Sequence, residues 1–155
     1  MGVFPTIAHV ALQVRDLQAS IEFYEKLGFP EFLRLNKDDG EPWIVYMKVH
    51  DTFYFELFPG KDDGTAPQGK TGVHHLSLEA DNILETVAHL ESVGIPLENP
   101  LKPGPGLDGN RGCWIVDPDG NRIELMEMSP NCIQMDALKA LAAGKGPTAL
   151  HKPLK

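Results

Sequence analysis

Residues 7–14 alternate along Ile-Ala-His-Val-Ala-Leu-Gln-Val. Ala8, Val10, Leu12 and Val14 fall on one face of an extended chain, and Ile7, His9, Ala11 and Gln13 on the other. The pattern predicts a strand with an apolar face against a helix and a more polar face turned elsewhere. Asp16 stands where an N-cap belongs, ahead of a helical spacing over 17–27 that carries Ile21, Tyr24 and Leu27. Gly28 follows as a left-handed terminator. Three strand-like runs come next, at 31–35, 43–49 and 52–58, with turn residues at Asp38-Asp39-Gly40 and His50-Asp51. The first half reads β-α-β-β-β.

The second half repeats this order. Residues 73–80 predict a strand and 82–93 a helix with Ile83, Val87 and Leu90 on one stripe. Residues 97–101 predict a short strand, followed by a Pro/Gly-rich loop over 102–112. Strands are expected at 113–116 and 122–128, joined by the turn Asp117-Pro118-Asp119-Gly120. A further helix is expected over 133–143. The halves keep a fixed offset, 75 − 9 = 66 and 94 − 28 = 66, so one unit is written twice. The expected organisation is a first βαβββ module over 1–58, a linker over 59–72, a second module over 73–128, and a helix with a loose tail over 129–155. The fold class is α+β, two βαβββ modules forming a curled mixed sheet.

Composition narrows the partners. A net charge of −8 leaves no basic face for a phosphate backbone, which argues against nucleic acid. No apolar run reaches the length of a membrane span. Two isolated cysteines, Cys113 and Cys132, make no thiolate metal motif or disulfide framework. A cytoplasmic protein working on a small molecule is the expectation.

Candidate chemistry lies at matching places of the two units. His9 and His75 sit on the first strand of each, and Glu56 and Glu124 on the last. Singly, each has an ordinary reading: a hydrogen-bonded core histidine, or a solvated glutamate on an open sheet face. Together they recur at one offset. Two neutral imidazoles and two carboxylates balance a divalent ion, and this donor set suits Ni, Zn, Co, Mn or Fe(II). Such an ion can polarise a carbonyl and hold an enediolate, with a glutamate taking the proton from the adjacent carbon. His74 competes with His75, and strand parity favours His75. Gln13, Ser77 and Glu79 share the presumed cavity face as candidate substrate contacts or supports for a ligand.

With these residues in view, the chain resembles the vicinal oxygen chelate superfamily, which includes glyoxalase I, fosfomycin-resistance and bleomycin-resistance proteins, and extradiol dioxygenases. The resembling residues are Ile7-Ala8-His9-Val10, Asp16-Leu17, Phe23-Tyr24 and Leu27-Gly28-Phe29. In the second half they are His75-Leu76, Asp117-Pro118-Asp119-Gly120-Asn121 and Ile123-Glu124-Leu125. The resemblance implies two modules curled round a metal and, commonly, a homodimer. The set His9, Glu56, His75 and Glu124 is similar to that of glyoxalase I. It implies a lyase or isomerase of lactoylglutathione lyase type, acting on an oxoaldehyde adduct or α-hydroxycarbonyl, with Glu124 as base and Glu56 its partner. Where that branch anchors glutathione, this chain carries Gln13 and Gly60. The alternatives are a non-haem Fe(II) dioxygenase using two histidines and Glu124, and a metal-free drug-binding protein.

Overall fold

The computed structural model describes residues 7–60 and 74–145. The first module runs β1 (His9–Val14), α1 (Leu17–Lys26), β2 (Glu31–Asn36), β3 (Pro42–His50) and β4 (Phe53–Pro59). These strands form a sheet in the order β1-β4-β3-β2, with β1 parallel to β4 and the other pairs antiparallel. The second module runs β5 (Leu76–Glu79), α2 (Ile83–Ser92), β6 (Arg111–Val116) and β7 (Arg122–Glu127). Its sheet has the order β5-β7-β6, and β5 is again parallel to β7. The last helix is α3 (Ile133–Ala142). Most of the expected 59–72 linker, Val73 and the tail beyond 145 lie outside the described residues.

The expected strand at 97–101 is absent. Its place holds one ladder-like bond, from Glu98 N to the Trp114 carbonyl at 2.8 Å. Pro96 and Pro100 bracket the segment, and each removes an N–H donor. The second sheet therefore has three strands where the first has four, and neither closes into a barrel. The first module keeps the full βαβββ order; the second reads β-α-β-β.

Local chemistry explains the helices. Asp16 accepts from Ala19 N at 3.0 Å, and Asn82 accepts from Leu84 N and Glu85 N at 3.0 and 3.3 Å. Gly28 and Gly94 end α1 and α2 at φ +86° and +74°, a region that a Cβ disfavours.

One core serves both modules. Val14, Ile21, Tyr24, Val45, Met47, Phe55 and Leu57 of the first pack in the same cluster as Ile83, Leu90, Ile115, Ile123 and Leu125 of the second. A polar latch reinforces the seam. Tyr24 Oη donates to Asp117 Oδ2 at 2.9 Å, and both residues are buried. Arg15 N and Nε donate to Asp119 Oδ1 at 3.0 Å each, and Ser20 Oγ to Asp119 Oδ2 at 3.3 Å. The Asp117–Asn121 turn is thus the clasp by which the second module grips α1.

Candidate metal centre

Strand alternation sets the site. On β4, Phe55 and Leu57 are buried while Tyr54, Glu56 and Phe58 occupy the opposite, open face. On β7, Ile123 and Leu125 are buried while Glu124 and Met126 are on the open face. The parallel pairings then place the histidines. Ala11 lies opposite Glu56, and Ser77 lies opposite Glu124. His9 and His75 each stand two residues earlier on the same face, so both modules produce the same diagonal pair.

His9 Nε2 lies 3.6 Å from Glu56 Oε2, and His75 Nε2 lies 3.4 Å from Glu124 Oε2. Neither contact forms a hydrogen bond. Two donors on one ion at about 2.1 Å stand roughly 3.0 Å apart in an octahedron and roughly 3.4 Å in a tetrahedron. The observed 3.6 and 3.4 Å match the tetrahedral value within about 0.2 Å and exceed the octahedral one by about 0.4–0.6 Å. The glutamate side chains are 14% and 20% exposed, sheltered but reachable.

Each imidazole is held by aromatic neighbours. His9 stacks on Tyr54 with centroids 5.2 Å apart, and His75 meets the edge of Trp114 at 4.8 Å. His75 Nδ1 is 2.7 Å from His74 Nδ1, so one ring donates to the other. If His75 is the donor, its Nε2 keeps the lone pair that a metal needs.

The structure joins His9 with Glu56 and His75 with Glu124, as two pairs. Among the described residues no group of three or more His, Cys, Asp or Glu side chains gathers to hold an ion within one chain. Gln13 is exposed on the open face opposite Phe58, and Ser77 lies directly beside Glu124. Glu79 borders a different cleft of about 530 Å³, between α2 and the end of α1, together with Leu27, Leu78 and Leu90. A Cβ at position 60 would stand 3.0 Å from the Val14 carbonyl oxygen and 3.1 Å from Gln13 Cγ, so a larger residue there would be crowded.

Sequence reading overlooked two features of the site. Phe32, Tyr46 and Tyr54 form an aromatic wall beside His9 and Glu56, with ring centroids 5.7–6.0 Å apart. Partial burial, then the neighbouring Glu56 carboxylate, raises the Tyr46 phenol above its ordinary value. Parity with Glu56 at position 54 was the signal available. The second feature is a cleft of about 240 Å³ beside Glu124, lined by Trp114, Met126 and the 102–110 loop. Nothing in the spacing of that loop marks it as a wall.

Comparison with known proteins agrees with this architecture. A family model described as Glyoxalase/Bleomycin resistance protein/Dioxygenase superfamily matches residues 6–125. The uncharacterized protein YwbC of Bacillus subtilis is 30% identical over 125 residues, 78% of this chain and 96% of its own length. The uncharacterized protein YaeR of Escherichia coli is 28% identical, over 78% of this chain and 95% of its own length. A glyoxalase family protein from Enterococcus faecalis superposes with a TM-score of 0.68 at 29% identity, covering 80% of this chain and 98% of its own.

Proposed function

This chain belongs to the Glyoxalase/Bleomycin resistance protein/Dioxygenase superfamily, and we propose that within it the protein is a divalent-metal-dependent lyase or isomerase of small oxoaldehyde adducts or α-hydroxycarbonyls. The observation that carries this reading is the duplicated pair. Each module holds one imidazole nitrogen and one carboxylate oxygen 3.4–3.6 Å apart, without a hydrogen bond between them, on an open sheet face. His9, Glu56, His75 and Glu124 would hold the ion. Because one chain supplies the donors as separate pairs, the set is completed when the first module of one copy faces the second module of another. The working form is therefore a homodimer.

When bound, the ion supplies Lewis acidity at a substrate carbonyl. The chain supplies the proton chemistry. A Glu124 oxygen takes the proton from the carbon next to the carbonyl and returns it to the former carbonyl carbon, while the hydroxyl proton passes to the former carbonyl oxygen, so that no net proton is consumed. Glu56 holds the opposite side of the reacting group. The aromatic wall beside His9 receives the apolar part of the substrate. A dioxygenase using only His9, His75 and Glu124 would leave the Glu56 carboxylate at His9 without a role, which favours the four-donor set.

The test is turnover of hemithioacetals, made from methylglyoxal with several thiols, after reloading chelated protein with Ni, Co, Zn or Mn. Turnover that chelation abolishes is expected. Metal binding without turnover of any adduct would overturn the enzymatic reading. A single chain that binds a full equivalent of metal while sedimenting as a monomer would overturn the shared site.

A second reading is a binding protein for an aromatic small molecule. It is favoured by the exposed wall, where Phe32 is 53% exposed beside Tyr46 and Tyr54. No metal uptake, together with quenching of the tyrosines by an aromatic ligand, would select it.

A further inference from the structure

Helix α3 lies beyond the 6–125 segment that the family shares, and it buries none of its residues. Leu138 and Leu141 are 59% and 58% exposed, so the helix adds little to the core. Its first turn nevertheless makes directed polar contacts with one loop. Ile133 N donates to the Asp108 carbonyl at 3.0 Å. Gln134 Nε2 donates to Asp108 Oδ2 at 3.1 Å, and Gln134 Oε1 accepts from Asn110 Nδ2 at 3.2 Å. Asn110 is 4% exposed and also donates to Asp108 Oδ2 at 2.9 Å. Its Oδ1 accepts from Ser129 N at 2.9 Å. Both Nδ2 protons and one Oδ1 acceptor position of this nearly buried amide are used, one bond inside the loop to Asp108 and two joining the loop to Gln134 and Ser129.

The loop so held is the wall of the 240 Å³ cleft beside Glu124 and Trp114. It contains Pro103, Gly104, Pro105 and Gly106 and has no strand or helix of its own. Turn bonds within the loop, among them Gly106 N to the Asn110 carbonyl at 2.7 Å, act with the Ser129 and α3 contacts to fix its position.

We propose that α3 is a positioning element for this cleft: through Gln134 and Asn110 it holds the 102–110 wall over Trp114 and Glu124, and so sets which substrates enter. That substrates enter there rests on the metal-dependent reading above; that the wall is held by α3 does not.

The test compares full-length Gln134→Ala and Gln134→Glu in a Trp43→Phe background, where Trp114 is the remaining tryptophan. Gln134 is exposed, so truncating it removes two hydrogen bonds and no core packing. Gln134→Glu keeps the acceptor for Asn110 but sets a second carboxylate against Asp108. Hydrogen exchange at Gly106, Gly109 and Asn110 is expected to quicken about tenfold in Gln134→Ala and more in Gln134→Glu. Acrylamide quenching of Trp114 rises in step, while the β6–β7 amides stay unchanged. With any substrate that turns over, KM rises several-fold and kcat changes less than about twofold. Wild-type exchange and quenching in both variants would overturn the proposal. Loss of protection throughout β6 and β7 would also overturn it, by making α3 a general stabiliser. Changed loop exchange without turnover in any protein would instead sink the enzymatic reading and leave the positioning role standing.

Discussion

Tyr24→Phe isolates the clasp between the modules. The Tyr24 ring is fully buried and packs edge-on against Phe23 and Phe55, at 5.2 and 5.4 Å between centroids. Phenylalanine keeps those contacts and opens no cavity. What disappears is one hydrogen bond to the Asp117 carboxylate, itself 4% exposed. Asp117 retains three donors: Asp119 N and Asn121 N on Oδ1 at 3.0 and 2.8 Å, and Asn121 Nδ2 on Oδ2 at 2.8 Å. A buried hydrogen bond to a charged group contributes about 1.5–3 kcal/mol. With three bonds left to the carboxylate, a loss of about 2 kcal/mol is expected, roughly 30-fold in the folding equilibrium. For a chain of this size that lowers Tm by roughly 4–8 °C. Urea denaturation of Tyr24→Phe, Asp117→Asn and the double variant measures it. The two single effects should be non-additive by about 1 kcal/mol or more. A loss under about 0.5 kcal/mol, or strict additivity, would refute the assignment of Tyr24–Asp117 as the seam's anchoring bond.

Other expectations follow from the same contacts. Burial, then the Asp117 carboxylate, raises the Tyr24 phenol well above its ordinary value. The fold therefore favours the protonated phenol: this stabilisation is complete below pH about 10 and is lost as pH rises beyond it. The stability gap between wild type and Tyr24→Phe should narrow in alkaline urea titrations; a constant gap would contradict it. Arg15→Ala removes the Nε bond to Asp119 and the Nη2 bond to the Pro118 carbonyl but keeps the backbone bond, and the Arg15 side chain is 56% exposed, so less than about 1 kcal/mol should be lost. Glu56→Gln and Glu124→Gln should each weaken metal affinity by about tenfold or more in calorimetric titration, with Tm little changed. Unchanged affinity in Glu56→Gln would point to a three-donor set.

The alternation of apolar residues and the 66-residue repeat determined by themselves the order of the elements outside 97–101, the apolar face of β1, and the parity that sets His9 and His75 on the other face. These are local properties, written in the period of the chain. The strand expected at 97–101 rested on the repeat of the first module; Glu98, Asn99 and Pro100 are poor strand formers, and the local composition prevailed over the repeat. The pairing of His9 with Glu56 and of His75 with Glu124 needed the parallel β1–β4 and β5–β7 registers, which connect residues 47 and 49 positions apart (56 − 9; 124 − 75). The same holds for Asp117. In sequence it belongs to a turn; only packing shows that its carboxylate closes on Tyr24, 93 residues away. Which atoms meet across such distances depends on strand register and on the fit of two modules in one core, and no window of sequence carries that information.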